Sequence, residues 1–209
     1  MEAAKIPELL APALEYLDYA GIAVFALSGA LLAAEKRQTL VTFIFFAVVT
    51  GVGGGTVRDL LIGAPVFWIR DNGVLLICLV AALIAWAAPS GLWKGRALVW
   101  SDAAGLAAYG AYGAAKALAF GVAPLPAVGM GVITGCVGGI IRDVLAGDPS
   151  ILMRAELYVT AAALSAGLLV ALMALGCPAT VAAAVAIPAG FALRAGAIVY
   201  GWGLPTYGR

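Results

Sequence analysis

Histidine is absent from this sequence, and charged residues are scarce. The chain has 209 residues, of which 11% are charged and 64% are hydrophobic. Without histidine it lacks the commonest metal ligand and the commonest general base near neutral pH. The formal net charge is only +1, so no strong basic field points to nucleic acid as a partner. Because a soluble domain usually carries about 25% charged residues, lipid must be the solvent for much of this chain.

Catalytic and cofactor-binding motifs are also missing. The three cysteines, Cys78, Cys136 and Cys177, have no metal or redox spacing and fall within apolar segments. No Gly-Lys-Ser/Thr follows the glycine runs, so they are not a phosphate-binding loop. The N-terminus lacks the basic run that begins a signal peptide. We therefore expect neither an enzyme nor a metal site, and no motif calls for a cofactor.

Seven apolar segments approach the roughly 20 residues that a membrane-spanning helix needs. They cover residues 13–34, 40–63, 72–88, 100–121, 125–147, 156–175 and 180–202. The sequence therefore predicts an all-α polytopic membrane protein, with residues 1–209 forming a single membrane domain.

An internal repeat relates two of these segments. Residues 51–65 are GVGGGTVRDLLIGAP and residues 135–149 are GCVGGIIRDVLAGDP, identical at eight of fifteen positions with an offset of 84. The first copy, residues 13–96, contains three spans, and the second copy, residues 97–175, contains the next three. Three spans per copy invert the second copy in the membrane, as in many transport proteins. We predict a 3+3 inverted repeat followed by one C-terminal helix, residues 180–202.

The distribution of basic residues predicts the orientation. Loops on one side carry most of them, and the richer side should be cytoplasmic. That side has Lys36, Arg37, Lys94, Arg96, Arg154 and Arg209, whereas the other has Lys5 and Arg70. The N-terminus is then expected outside and the C-terminus in the cytoplasm.

The repeated glycines have two interpretations. Each costs about 1 kcal/mol of helix stability relative to alanine, so their presence needs a reason. They allow two backbones to approach closely, or they allow the helix to bend or break and line a polar path. The positions concerned are Gly51, Gly54, Gly55, Gly135, Gly138 and Gly139.

Ionisable residues within spans normally face a partner or water, because burying them in lipid costs at least ~2.5–3.5 kcal/mol each. Counting depth along the helices places Asp18 level with Arg58 near the outer face. The same count places Asp102 level with Arg142 near the inner face. We therefore predict an Asp18–Arg58 pair and an Asp102–Arg142 pair. Two further carboxylates, Asp59 and Asp143, are expected to compete for the arginines or to cap backbone N–H groups.

Lys116 has no charged counterpart, since position 32 is leucine. It either extends to the membrane interface or faces the polar path, on a helix face shared with Tyr109 and Tyr112. Arg194 in the last span is interpreted as an anchor at the inner interface. The complete candidate polar lining, ion pairs included, is Asp18, Ser28, Thr50, Arg58, Asp59, Asp102, Lys116, Thr134, Arg142 and Asp143.

The doubled GGxxRDxLxGxP pattern, the 3+3+1 plan and the length resemble prokaryotic members of the TRIC (trimeric intracellular cation) channel family. The resemblance implies a homotrimer in the inner (plasma) membrane, surrounded by lipid. It also implies one pore in each subunit, lined by glycine-kinked second and fifth helices and passing monovalent cations such as K⁺ and Na⁺.

Two alternatives stay open at this point. Inverted repeats with broken helices also suit a secondary transporter of a small solute such as glycine, the other label given to this family. A non-conducting scaffold is the third class. A transporter predicts saturable flux that depends on its solute, whereas a channel predicts ohmic current.

Overall fold

The part of the chain described by a computed structural model, residues 11–88, 97–153, 156–205 and 207–208, is almost entirely α-helical. Side chains 11–17 and 152 are outside this description. The helices are α1 (Ala11–Glu35), α2 (Leu40–Leu61), α3 (Asn72–Ala87), α4 (Ala97–Ala119), α5 (Pro124–Leu145), α6 (Val159–Ala174) and α7 (Ala179–Tyr200). Single 3₁₀ turns at Phe67–Ile69 and Ile151–Met153 follow α2 and α5. The predicted all-α polytopic fold is confirmed.

The predicted spans agree closely with these helices. The largest differences are at the start of α4, predicted at 100 and found at 97, and of α6, predicted at 156 and found at 159. By length and composition alone, four of the described helices can cross a membrane: α1 from Asp18, α2, α5 and α7. The apolar helices α3 and α6 have 16 residues each, about 24 Å at ~1.5 Å per residue, a few ångströms less than a typical hydrocarbon core.

Helices α2 and α5 end in the same way, and the repeated sequence explains why. Gly63 and Gly147 follow the last helical turns with φ of +69° and +72°, the left-handed conformation that glycine adopts without strain. The next N–H group donates back to the carbonyl of an aspartate in the helix: Ala64 to Asp59 at 2.8 Å, and Asp148 to Asp143 at 3.0 Å. Each capping turn therefore places its aspartate at the end of the helix, facing the 3₁₀ turn that follows.

The two glycine-rich helices pack against each other at the centre of the bundle. Helix α1 packs on α2, α3 and α4, and α4 packs on α5, α6 and α7. Helix α7 contacts α6 and α4 and so lies on the side of the second repeat. Apolar side chains on α3, such as Leu76 (60% exposed) and Ile84 (55% exposed), point away from the bundle and suit contact with lipid.

Most of the basic residues used to predict the orientation lie outside the described residues, namely Lys5, Lys94, Arg96, Arg154 and Arg209. Lys36, between α1 and α2, forms an ion pair with Asp148, which follows α5. This contact places the two connections at one end of the bundle, as the predicted topology requires. The orientation in the membrane stays a prediction.

Candidate functional site

The crossing of α2 and α5 brings two backbones into direct contact. A Cβ atom added to Gly54 would lie 2.2 Å from the Thr134 carbonyl oxygen, and one added to Gly138 would lie 2.4 Å from the Thr50 carbonyl oxygen. From Thr50 to Gly54 the residue number rises along α2, while that of the contacting α5 residue falls from Gly138 to Thr134. The two helices are therefore antiparallel. Any side chain larger than hydrogen at these two positions would push the helices apart.

Both helices are uninterrupted across their glycines. The helix break that we considered from the sequence is therefore not present in α2 or α5. Close packing of the two backbones accounts for the glycines without any unwinding of the helices. A bend that retains the helical hydrogen bonds stays a prediction.

The remaining glycines of the motif face other neighbours. Cβ atoms added to Gly51 and Gly135 would lie 3.2 Å from the Cys78 sulfur and 2.9 Å from the Leu106 carbonyl oxygen. Those added to Gly55 and Gly139 would meet aromatic side chains, 2.7 Å from the Phe67 ring and 2.8 Å from the Tyr158 hydroxyl. Each glycine-rich turn thus has one face packed on a neighbouring helix and one covered by an aromatic side chain.

Thr50 and Thr134 lie beside the crossing and are 1% and 2% exposed. Their hydroxyls contact the neighbouring helices α1 and α4 where glycine leaves room: Cβ atoms added to Gly29 and Gly113 would lie 2.6 and 2.3 Å from the Thr50 and Thr134 oxygens. The Thr134 hydroxyl donates to the Met130 carbonyl at 2.6 Å. These two candidate lining residues are therefore packed at the centre of the four helices α1, α2, α4 and α5.

At one end of the crossing, Arg142 forms a buried cluster with two carboxylates. Its Nη1 donates to Asp102 Oδ1 at 2.9 Å and also to the Ser28 hydroxyl, while its Nε donates to Asp143 Oδ1 at 2.9 Å. The arginine is 2% exposed. The predicted Asp102–Arg142 pair is confirmed, and we call Ser28, Asp102, Arg142 and Asp143 the inner cluster.

At the opposite end, Arg58 pairs with the aspartate next to it. Arg58 Nε donates to Asp59 Oδ1 at 2.9 Å, as the equivalent atoms of the inner cluster do. The Lys116 ammonium lies 2.9 Å from the same carboxylate oxygen, and its side chain is 18% exposed. Lys116 therefore reaches into the bundle rather than to the membrane interface. We call Asp18, Arg58, Asp59 and Lys116 the outer cluster.

The two aspartates that follow the arginines also bind backbone N–H groups. Asp59 Oδ2 accepts from Phe67 N at 3.1 Å, and Asp143 Oδ2 accepts from Ile151 N at 3.4 Å. The two acceptors, Asp59 and Asp143, are separated by the repeat offset of 84, and so are the two donors, Phe67 and Ile151. Both roles expected for Asp59 and Asp143, pairing with arginine and capping backbone N–H groups, are found together.

The predicted direct Asp18–Arg58 pair is wrong. The Asp18 carboxylate accepts hydrogen bonds from the Tyr109 and Tyr112 hydroxyls at 2.7 and 2.9 Å. The Arg58 guanidinium instead lies 5.2 Å from the centre of the Tyr112 ring. Position 112 corresponds to Ser28 in the repeat. The small serine lets Arg142 reach Asp102, whereas the tyrosine ring and hydroxyl occupy the space between Asp18 and Arg58.

Arg194 is not the interfacial anchor that the sequence suggested. It is 2% exposed, and its Nη2 donates to Glu156 Oε2 at 2.6 Å. Its guanidinium also lies 5.5 Å from the centre of the Tyr158 ring. Tyr158 and Phe67 were not among the residues predicted for the site, because both lie in connections rather than on the repeated helices. The two tyrosines that donate to Asp18 of the outer cluster, Tyr109 and Tyr112, were already indicated by their position on the Lys116 face.

These features define an all-helical, multi-pass membrane protein in which two antiparallel glycine-rich helices each end in a buried arginine–aspartate pair. The model of a family described as Glycine transporter matches the chain twice, at residues 15–90 and 99–174. The chain belongs to this family and is a prokaryotic TRIC-family member.

Curated relatives are membrane proteins. The chain is 44% identical over 150 residues to the UPF0126 inner membrane protein YadS of Escherichia coli (strain K12), covering 70% of this chain and 72% of that protein. It is 37% identical over 197 residues to a UPF0126 membrane protein of Vibrio cholerae serotype O1, covering 91% and 81%. We conclude that it is a multi-pass inner membrane protein.

Solved structures with the same fold are TRIC channels. A TRIC trimeric intracellular cation channel orthologue from Rhodobacter sphaeroides is 40% identical, with a TM-score of 0.84 over 91% of this chain and 99% of that one. A second structure comes from work on the structural basis for conductance through TRIC cation channels. It is 29% identical, with a TM-score of 0.82 over 93% of this chain and 97% of that one. The fold and the sequence motif therefore agree on the family.

Proposed function

We propose that this protein is a channel for monovalent cations such as K⁺ and Na⁺. The observation that carries the proposal is the pair of buried charged clusters at opposite ends of the α2–α5 crossing. Buried charges are costly in a membrane and mark ion pathways by default. The two structural relatives described above are cation channels, which supports the same class of function here.

Charge balance in the two clusters favours cations. The inner cluster has one positive group, Arg142, and two negative groups, Asp102 and Asp143. The outer cluster has two positive groups, Arg58 and Lys116, and two negative groups, Asp18 and Asp59. Formal charges of about −1 and 0 give an inner end that attracts cations electrostatically and an outer end that is balanced.

The proposed path runs along the glycine-rich faces of α2 and α5 within one subunit. We place the closure points of this proposed path at Gly55 and Gly139, because an aromatic side chain covers each of them. A small bend in either helix at these glycines would separate the helix from its aromatic neighbour without breaking helical hydrogen bonds. Three such subunits form the proposed homotrimer, a proposal supported by the trimeric Rhodobacter sphaeroides relative.

Transport of a small solute such as glycine is the alternative. It is supported by the description of the matching family and by the antiparallel crossing, a geometry that suits alternating access. The two functions differ in a simple measurement, because a carrier saturates with its solute whereas a channel passes current in proportion to voltage.

The test is a recording from the purified protein in planar bilayers with K⁺, Na⁺ and glycine compared in one preparation. We expect ohmic K⁺ and Na⁺ currents that do not depend on glycine. Leucine at Gly55 or Gly139 would collide with Phe67 or with Tyr158 and should abolish the current in an assembled protein. Gly129 provides the control in the same helix as Gly139, because a Cβ added there meets nothing within 4 Å. Saturable glycine uptake without ohmic current would instead support the carrier.

The predicted topology belongs to the same proposal, with the N-terminus outside and the C-terminus in the cytoplasm. With this topology, the inner cluster faces the cytoplasm. A reporter that is active only in the cytoplasm should be active when it is fused to the C-terminus. A reporter that is active only in the periplasm should be inactive at the same position.

A further inference from the structure

Tyr158 covers the glycine-rich turn at the inner end of α5. It is 1% exposed, and its hydroxyl lies 2.8 Å from the point where a Cβ of Gly139 would be. Asp102 Oδ1 lies 3.4 Å from the same point. The tyrosine hydroxyl therefore lies over the same face of Gly139 that Asp102 of the inner cluster approaches.

Repeat symmetry does not account for this tyrosine. The position 84 residues earlier is Val74, and the equivalent glycine, Gly55, is covered instead by Phe67. Phe67 comes from the 3₁₀ turn after α2, whereas Tyr158 comes from the residues just before α6. The inner cover is therefore a separate addition to the second repeat.

Helix α7, which also lacks a repeat counterpart, holds this addition in place. The Arg194 guanidinium lies 5.5 Å from the centre of the Tyr158 ring, and Arg194 Nη2 donates to Glu156 at 2.6 Å. A single α7 side chain thus contacts two positions of the short segment that carries the ring. The Arg194 cation over the ring is therefore one of the contacts that hold the buried Tyr158 side chain in its packed position.

We propose that Arg194 is a positioning residue that holds Tyr158 as a plug over Gly139, so that α7 controls the inner end of the path. The proposal rests on the channel function for its physiological meaning, but the plug itself is a structural claim with its own readout. Loss of Arg194 should release the Tyr158 ring and expose the residues that the ring covers, while the α2–α5 crossing remains packed.

Two native cysteines make this testable. Cys136 is 2% exposed and belongs to the same packed cluster as Tyr158. Cys78 is fully buried in a different cluster, against Gly51 of α2. In a Cys177→Ser background, only these two thiols remain, so Cys136 reports on the plug and Cys78 on the integrity of the rest of the bundle.

The experiment compares Arg194→Gln, Arg194→Lys and Tyr158→Ala in this background, each reconstituted and treated with a membrane-impermeant maleimide. Without further substitution, both thiols should be protected. We expect Arg194→Gln and Tyr158→Ala to label at Cys136 at least tenfold faster, only from the side of the C-terminus, with Cys78 still protected. Arg194→Lys, which keeps a cation over the ring, should restore part of the protection.

Unchanged labelling of Cys136 in both Arg194→Gln and Tyr158→Ala would overturn the plug. Parallel labelling of Cys78 would do so too, since it would mean general loosening of the bundle. K⁺ flux in the same vesicles separates this proposal from the channel itself. If the protein without these changes carries K⁺, the two variants should carry it several-fold faster, and an equal rate rejects control by α7. If it carries none, the channel proposal fails while the labelling still tests the plug.

Discussion

Three side chains of α4 that face the outer cluster differ from their counterparts on α1, and this difference explains the asymmetry of the two clusters. At the offset of 84, the pairs are Phe25 and Tyr109, Ser28 and Tyr112, and Leu32 and Lys116. The α1 side chains leave Arg142 in direct contact with Asp102. The α4 side chains add two hydroxyls, which bind Asp18, and one ammonium group, which binds Asp59.

Removing the arginine of the inner cluster should strongly destabilise the protein. Arg142→Met leaves Asp102 and Asp143, whose side chains are 4% and 11% exposed, without their cation. Uncompensated buried charges of this kind cost about 3–5 kcal/mol. Denaturation in mixed micelles should show a loss of this size, and adding Asp102→Asn should recover part of it.

Lys36→Met is the control for that measurement. Lys36 pairs with Asp148 at the surface, where its side chain is 42% exposed, so the change should stay within about 0.5 kcal/mol of the unchanged protein. Equal stability of the Arg142 and Lys36 variants would contradict the structural importance of the inner cluster.

Lys116 should affect conductance more than stability. Its ammonium approaches Asp59, which keeps Arg58 as a partner after Lys116→Gln. Removing a positive charge from the outer end lowers the electrostatic barrier for cations, so single-channel K⁺ conductance should rise. Lys36→Gln serves as the matched control outside the bundle. An unchanged record for Lys116→Gln would remove this lysine from the path.

Sequence reasoning succeeded for one predicted ion pair and failed for the other, for a physical reason. Depth along a helix follows from ~1.5 Å per residue, and both predicted pairs are level by that measure. Direct contact also requires that nothing large stands between the partners. Ser28 satisfies that condition for Arg142, whereas Tyr112 does not satisfy it for Arg58, and packing of a ring between two helices is not visible in residue spacing.

At the scale of elements, the crossing of α2 and α5 depends on single hydrogen atoms at two glycines. The sequence predicted the helices, because apolar length and the turn residues mark their ends. It left open whether the glycines pack or break the helix, since both uses need the same residue. The structure shows packing, because the carbonyl oxygens of Thr50 and Thr134 occupy the space that a side chain would need.

Alanine at Gly138 should therefore loosen the crossing. Its Cβ would lie 2.4 Å from a backbone oxygen that cannot rotate away, and forcing extra volume into a packed interior typically costs about 1–3 kcal/mol. Gly129→Ala on the same helix has open space and should be neutral or stabilising by up to about 1 kcal/mol. Comparing the free energies of unfolding tests this directly, and equal values would show that the two helices separate freely.

At the scale of the whole molecule, the chain repeats one arrangement with reversed direction and then adds features to one copy only. The C-terminal caps of α2 and α5, the arginine–aspartate pairs and the glycine–threonine contacts obey the offset of 84. Tyr158, Arg194 and α7 do not. The sequence indicated the common plan because identical residues recur, but it could not indicate that α7 contacts the inner cluster region through a tyrosine outside the repeated motif.

The number of pores per assembly gives a final prediction. If each subunit has its own path along α2 and α5, blocking one subunit should leave its neighbours conducting. Proteins without the change and with Gly55→Leu, which collides with Phe67, can be mixed during assembly at known ratios and reconstituted. Total K⁺ flux should then fall in proportion to the fraction of blocked subunits, and single-channel records should show up to three equal levels. Control mixtures with Gly129→Leu should show no loss. A path shared along the symmetry axis would instead lose flux steeply, because one blocked subunit would close the whole assembly.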